Sequence, residues 1–218
     1  MYNLLLKDLK LGVSPLFFVL PLFTGALMLI PGWLYLLVPM YFCWITIPNM
    51  FGGYKSQNDL MFTSMMPVTK KDMVKARVSV IVILELLHLV VAMIFGAVNL
   101  RLYADMTVYF FEPHPGFWGL CFAMLAIFNL LLIPMYYKTA YKYGAASTTA
   151  IAGAMIFAGV AQWAGIQSPY LADLFSGSGA DNTAAQASLL LAGVLVYAGF
   201  TFLAYRMAIK RFLKVEIQ

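Results

Sequence analysis

The chain has 218 residues, of which 63% are hydrophobic and only 11% charged, and its mean hydropathy is +0.85. So little polar surface cannot coat a soluble globule of this length, which excludes a soluble enzyme or binding domain and leaves an integral membrane protein. The net charge of +5 is not a nucleic-acid footprint, because the basic residues lie in short stretches beside apolar segments, facing lipid headgroups and cytosol.

Taken in chain order, Tyr2, Leu5, Leu6 and Leu9 repeat at helical spacing while Asn3, Lys7 and Lys10 fall on other faces. The pattern predicts either a short amphipathic helix over 1–12, lying in the membrane interface, or the plain charged flank of a first span. Six apolar segments follow, from Val13 to Ile30, Trp33 to Met50, Val78 to Leu100, Phe117 to Tyr137, Ala146 to Gln167 and Ala187 to Tyr205. Each is close to the ~20 residues that cross a ~30 Å hydrocarbon core. The predicted fold class is an all-α membrane protein with six transmembrane helices in one domain, 1–218. Its parts are spans at 13–50, 78–137 and 146–205, a cytosolic segment at 51–77, a loop at 138–145 and a tail at 206–218. Threaded this way, every Lys and Arg except Arg101 falls on one side, so both termini are predicted to be cytoplasmic. A cleaved signal peptide is disfavoured, since the first apolar run turns at Pro31-Gly32 straight into a second. Pro15, Pro21, Pro39 and Pro48 predict kinked or partly unwound helices in these first two segments. Cys43 and Cys121 sit inside apolar segments as small hydrophobes, with no disulfide or metal site expected.

The segment Phe51 to Arg77 carries the most organised local chemistry. Ser56 with Asp59, or Asn58 alone, is placed to cap a short helix through Leu60, Met61, Phe62, Met65 and Met66, which Pro67 terminates. Thr69 and Asp72 form a second capping pair, with Val68 and Met73 at the positions of a hydrophobic staple. The third span is thus predicted to be the upper part of one long helix rising from the cytosol. A short helix with an apolar face suits either docking on a soluble partner or resting on the membrane surface. Between spans four and five, Tyr136, Tyr137, Lys138, Tyr141, Lys142 and Tyr143 read as interfacial anchors or a second docking element. Pro169 to Phe175 predicts a short interfacial or re-entrant helix, and Ser176 to Ala180 a mobile glycine- and serine-rich stretch. Small residues along the fifth span (among them Gly153, Ala154, Ala158 and Gly159), with Gly193 and Gly199 in the sixth, allow close helix packing.

There is no Gly-x-x-x-x-Gly-Lys-Ser/Thr loop, no His-Glu-x-x-His helix and no Gly-x-Ser-x-Gly elbow, so neither nucleotide hydrolysis nor an intramembrane hydrolase is supported. Glu85 and His88 form an ionisable pair inside a span, three apart and on one helix face. Glu85 lies ~12 Å along the helix from Arg77. Charge at that depth is expensive, so both are expected to face the bundle interior. Two readings stay open: a lining of a substrate or proton path, and a protonated Glu85 hydrogen-bonded for structure only. Asn49 and Asn129 join them as candidates for a substrate cavity, with Gln162 as interhelical glue.

The stretch Asn58-Asp59-Leu60-Met61-Phe62-Thr63-Ser64-Met65-Met66-Pro67-Val68-Thr69-Lys70-Lys71, with the six-segment layout, resembles the permease subunits of type-2 ABC transporters. In size and style it is similar to the small bacterial permeases that export amphipathic peptides of the phenol-soluble-modulin kind. The resemblance implies a bacterial plasma-membrane exporter subunit with no catalytic residue and no cofactor of its own. ATP and Mg would sit in a partner ATPase, and a second permease copy would complete the unit. It further implies ATPase-coupling residues Asn58, Asp59, Leu60, Phe62, Thr63, Met65, Met66, Lys70 and Lys71, with Tyr141 in a smaller contact. Rival readings are an exporter of lipids or drugs, an ATP-independent scaffold or sensor, and an intramembrane enzyme using Glu85 and His88.

Overall fold

The computed structural model describes residues 2–104, 111–139, 142–176 and 180–215, and every regular element among them is helical. Helix α1 (Tyr2–Lys7) runs into a π turn over Asp8–Gly12, then α2 (Leu16–Ala26) ends in a 3-10 turn at Leu27–Leu29. Next come α3 (Leu37–Tyr41), a second π turn (Phe42–Thr46) and α4 (Ile47–Ser56), head to tail. They lead to α5 (Asp59–Ser64), the long α6 (Lys70–Leu102), α7 (Pro115–Thr139), α8 (Gly144–Gln167), the short α9 (Pro169–Ser176) and α10 (Ala180–Phe212).

Four helices, α6, α7, α8 and α10, are long and apolar enough to cross a membrane, and the pair α1–α2, bent by 69°, makes a fifth if taken as one span. Six were expected from the sequence. The difference lies in the Trp33 to Met50 segment, where helix begins only at Leu37 because Pro31 and Gly32, the latter at φ 70, turn the chain. Pro39 and Pro48 each withhold a backbone donor, and the ladder lengthens to π spacing between them, leaving three short pieces in place of one long helix. The helical path then continues past Met50 to Ser56, into what the sequence assigns to the cytosolic segment.

The long helix α6 is as predicted. The Asp72 amide donates to Thr69 Oγ1 at 3.1 Å, and the Thr69 hydroxyl donates to Asp72 Oδ2 at 2.6 Å. That hydroxyl holds the exposed Asp72 carboxyl below the usual carboxylate range. Val68 and Met73 pack into the same apolar core, as a staple requires. From this cap the helix runs 33 residues, about 50 Å at 1.5 Å per residue. At its far end Asn99 Nδ2 donates to the Met28 carbonyl at 2.7 Å and to Tyr35 Oη at 3.1 Å, tying α6 to the outer ends of the first two segments.

The inner helix is α7, 72% of whose apolar window is buried against 22% for that of α10. The two lie side by side, and at Gly119 and Gly193 their backbones touch. A Cβ on Gly193 would overlap the Gly119 carbonyl, and one on Gly119 would overlap that of Leu189. Such contact is expected where helices associate by van der Waals packing and lipid supplies no hydrophobic drive. On α8, Ala146, Ala150, Ala154 and Ala158 make the buried stripe, while Gly159, like Gly199 on α10, has open space where a side chain would go. Leu86, Val90 and Ile94 on α6, with Leu191, Leu195 and Phe202 on α10, are exposed apolar rows that hydrocarbon would cover. The helix expected at Pro169 to Phe175 is present as α9; residues 177–179 of the glycine-rich stretch lie outside the described residues.

Replacing Gly193 by Leu should cost about 3 kcal/mol or prevent folding, since backbone rather than a flexible side chain stands in the way. Gly199→Ala, with nothing near it, should melt at or slightly above the wild-type temperature in detergent. Similar melting of Gly193→Leu and wild type would contradict the close α7–α10 contact.

Candidate functional site

At the end of the bundle where α5 lies, the helices enclose a cluster of four charges. Arg77, on α6, is buried, and its guanidinium donates from Nε to Asp8 Oδ2 at 3.0 Å and from a terminal nitrogen to Asp59 Oδ2. Lys7 donates to Asp59 Oδ1 and to Thr63 Oγ1, both at 2.7 Å, and its ammonium is 3.1 Å from Asp8 Oδ1. Two cations and two carboxylates thus neutralise one another across α1, the first π turn, α5 and α6. The Arg77 guanidinium also lies flat over the Tyr54 ring, 3.2 Å from its centroid. Tyr54 reaches that position because residue 12 is glycine; a Cβ there would overlap the ring. Burial works against the Asp59 charge, but the Arg77 guanidinium and the Lys7 ammonium outweigh it and hold the carboxyl below the usual range.

The cluster borders a cavity of ≈ 310 Å³ whose walls include Leu4, Tyr54, Met73, Tyr136, Tyr137 and Phe212. Tyr136 and Tyr137, expected at the membrane interface, are instead buried, packing against Phe51 and Phe212 with ring centroids 4.5 and 5.1 Å apart. On the N-terminal helix and its π turn, Leu4 and Asp8 are buried, Leu5 and Leu9 pack partly on the core and Tyr2 is 71% exposed; the burial of Asp8 goes with its bond to Arg77.

Of the residues the resemblance singles out, Asp59 and Thr63 face inward into the cluster, and Leu60 and Met66 pack on the core. Phe62 and Met65 are 59% and 71% exposed, and Met61, which that set lacks, joins them at 52%. Asn58 precedes α5 in the left-handed region at φ 49, which asparagine tolerates, and its side chain makes no cap; neither does that of Ser56, which donates to the Gly53 carbonyl. Lys70 is used internally, donating to the Val215 carbonyl at 2.7 Å and so pinning the tail, whereas Lys71 is exposed. Tyr141 lies outside the described residues. Sequence reasoning missed Lys7, Asp8, Tyr54 and Arg77 as site residues. The available signal was an acidic residue on each side of a basic one at segment ends that would otherwise carry only positive charge.

The substrate-cavity candidates divide. Glu85 and Asn129 meet, with Asn129 Nδ2 donating to Glu85 Oε2 at 2.8 Å, and both are 0% exposed. His88 is also buried; its Nδ1 bonds the Leu84 carbonyl at 3.1 Å and its ring meets Phe42 edge-on. Asn49, expected in the same interior, is exposed and donates to the Ile45 carbonyl of its own helical segment at 2.7 Å.

Removing one partner from a buried charge cluster leaves the others uncompensated, so Arg77→Ala should destabilise the protein by roughly 3–5 kcal/mol and free α5 to trypsin at Lys55 and Lys70. The Asp59 contribution is complete above the ordinary aspartate value of 3.8 and fades as pH falls through its lowered folded value. Protection of α5 should therefore persist to pH 5 and be lost only in stronger acid. Equal trypsin resistance of Arg77→Ala and wild type would remove the cluster from this role.

The sequence pattern of a family described as ABC-2 family transporter protein matches residues 3–212, nearly the whole chain. Comparison with curated proteins and with solved structures gives no match. A match of that extent, on an all-helical chain with several membrane-length helices, places the protein among the multi-pass permeases of ABC transporters: the chain belongs to the ABC-2 transporter family.

Proposed function

We propose that this chain is the membrane half of an exporter, that it carries hydrophobic or amphipathic peptides outward, and that a separate cytosolic ATPase drives it by docking on α5. The observation that carries the reading is the two-sided character of α5. Its inner face is clamped by Asp59 and Thr63 to Lys7 and Arg77, while its outer face offers Met61, Phe62 and Met65 to the cytosol. A surface helix with no partner has no reason to expose three large apolar side chains in one turn and a half, and such anchors suit a groove on another protein. ATP and Mg belong to that partner, and two permease copies are expected to work together, in the plasma membrane with both termini cytoplasmic.

Support for an apolar cargo comes from a groove of ≈ 360 Å³ between the 34–40 stretch and α8, lined by Leu34, Met40, Met155, Trp163 and Ile166, with Gln162 among them. The wall is almost wholly apolar and carries one amide, which fits a peptide that is apolar on one side and polar along its backbone. Substrate access from the inner leaflet or the cytosol would both lead along α8 to it.

Co-expression with candidate ABC ATPases from the same genome supplies the test. Serine at Met61, Phe62 and Met65 together should reduce the ATPase retained on the tagged permease at least tenfold, about 1.4 kcal/mol, while the melting temperature falls little because each of these side chains is more than half exposed. Full retention of the ATPase by the triple variant would sink the docking assignment and favour a scaffold whose α5 rests on lipid.

A further inference from the structure

Away from the cytosolic cluster, α6, α7 and α10 meet at one enclosed polar knot. Glu85 Oε2 accepts from Asn129 Nδ2 at 2.8 Å and from the Tyr197 hydroxyl at 2.6 Å, and Asn129 Nδ2 also donates to Thr201 Oγ1 at 3.3 Å. Two oxygens in this knot have no partner, and they belong to the same hydrogen-bonded pair: Glu85 Oε1 and Asn129 Oδ1. With Glu85 ionised, both are acceptors with no donor from the protein. The groups facing Glu85 are Cys43 from the second π turn, Asn129 from α7, Tyr197 and Thr201 from α10, and His88 on its own helix. None is a cation there. The His88 Nδ1–H is committed to the Leu84 carbonyl, leaving Nε2 bare, and among the described residues no ion pair includes Glu85. An unpaired carboxylate and two orphaned acceptors in one place are costly several times over.

A single hydrogen removes all three faults. We infer that Glu85 and Asn129 hold a bound proton between them, as a two-point acid–amide pair in which Glu85 Oε1–H donates to Asn129 Oδ1 while Asn129 Nδ2–H donates to Glu85 Oε2. The second Asn129 hydrogen is already on Thr201, and the Tyr197 hydroxyl completes Oε2, so every polar atom of the pair is then satisfied. The pair decides between the two readings that the sequence leaves open for Glu85. It is a proton-binding site, and it is also the joint of the molecule. Helix α6 packs chiefly on α2 and approaches α7 only sparsely, so this knot is a polar link to the α7–α10 unit in the middle of the bundle. Loss of the proton would set two acceptors against each other and part α6 from α7. The site stands whatever drives the transporter.

The test uses the full chain in lipid nanodiscs at neutral pH. The infrared difference between wild type and Glu85→Gln should contain the carbonyl stretch of a protonated carboxylic acid, shifted in D2O. Glu85→Gln places an amide N–H where the acid O–H stood and should melt within about 2 °C of wild type, whereas Glu85→Ala and Asn129→Leu should melt about 4–8 °C lower. A carboxylate band in place of the acid band, or a Gln variant as unstable as the Ala variant, overturns the proposal.

Discussion

Arg77 is buried two turns into α6, beneath α5, and a guanidinium cannot shed its charge to suit the site. The charged groups at this end of the bundle are arranged to answer that one cation. Asp8 and Asp59 come from elements far apart in sequence, and Lys7 offsets the surplus negative charge that two carboxylates bring. Tyr54 supplies a flat apolar face to the guanidinium, and Gly12 leaves the room for it. None of these contacts is strong because it is a salt bridge as such; buried pairs roughly offset their own desolvation. Their value is geometric, since any rearrangement that separates one partner strands the rest.

This constraint divides the molecule mechanically. Helices α1, α5 and α6 are joined by charges that must stay together, so a displacement of α5 carries α6 with it. Helices α7 and α10 are joined by backbone contact at Gly119 and Gly193, which is as stiff in another way. Polar hooks bridge the two groups: Lys70 on the Val215 carbonyl at the α5 end, and Glu85 with Asn129 and Tyr197 in the middle. Arg211, which donates to the Pro134 carbonyl at 2.8 Å, instead fastens α10 back onto α7. A hinge between the groups would have to work at these hooks.

What could be read from the sequence was local. The Thr69 cap, the run of α6 from cytosol into the apolar region, and α7, α8 and α10 all declare themselves through spacing, caps and hydropathy within a few turns. The same holds for α9 between its Pro169 start and the glycine-rich stretch. What could not be read was long-range. Asp59 lies 18 residues before Arg77 and 52 after Lys7 in sequence, and no periodicity links them. Tyr136 and Tyr137 have the composition of an interfacial belt, yet are buried because Phe51 and Phe212 happen to face them. Asn49 looked interior by residue type, but the π turn before it rotates the helix and leaves the amide outside. The count of six spans is not confirmed for a related reason. Hydropathy measures how apolar a segment is, and Pro39 and Pro48 decide whether it is one helix.

The construction of α5 shows why charge belongs on its inner face and apolar surface on its outer one. Six residues are far too few to hold a helix in water, where nucleation costs more than one turn returns. The Asp59 and Thr63 contacts, with Leu60 and Met66 on the core, therefore hold this helix in place before any partner arrives. In the proposed docking, a partner that meets an already ordered Met61, Phe62 and Met65 would not have to offset their ordering, which would leave more of the contact energy as affinity. The reverse arrangement would place buried apolar contacts, which are nondirectional and slide, between α5 and α6, and exposed charges, which water screens, at the outer surface. A lever transmits displacement only if its inner joint does not slip. Fixed, mutually neutralising charges with defined geometry meet that demand, and flexible methionines on the outside tolerate a partner surface that changes shape as it works.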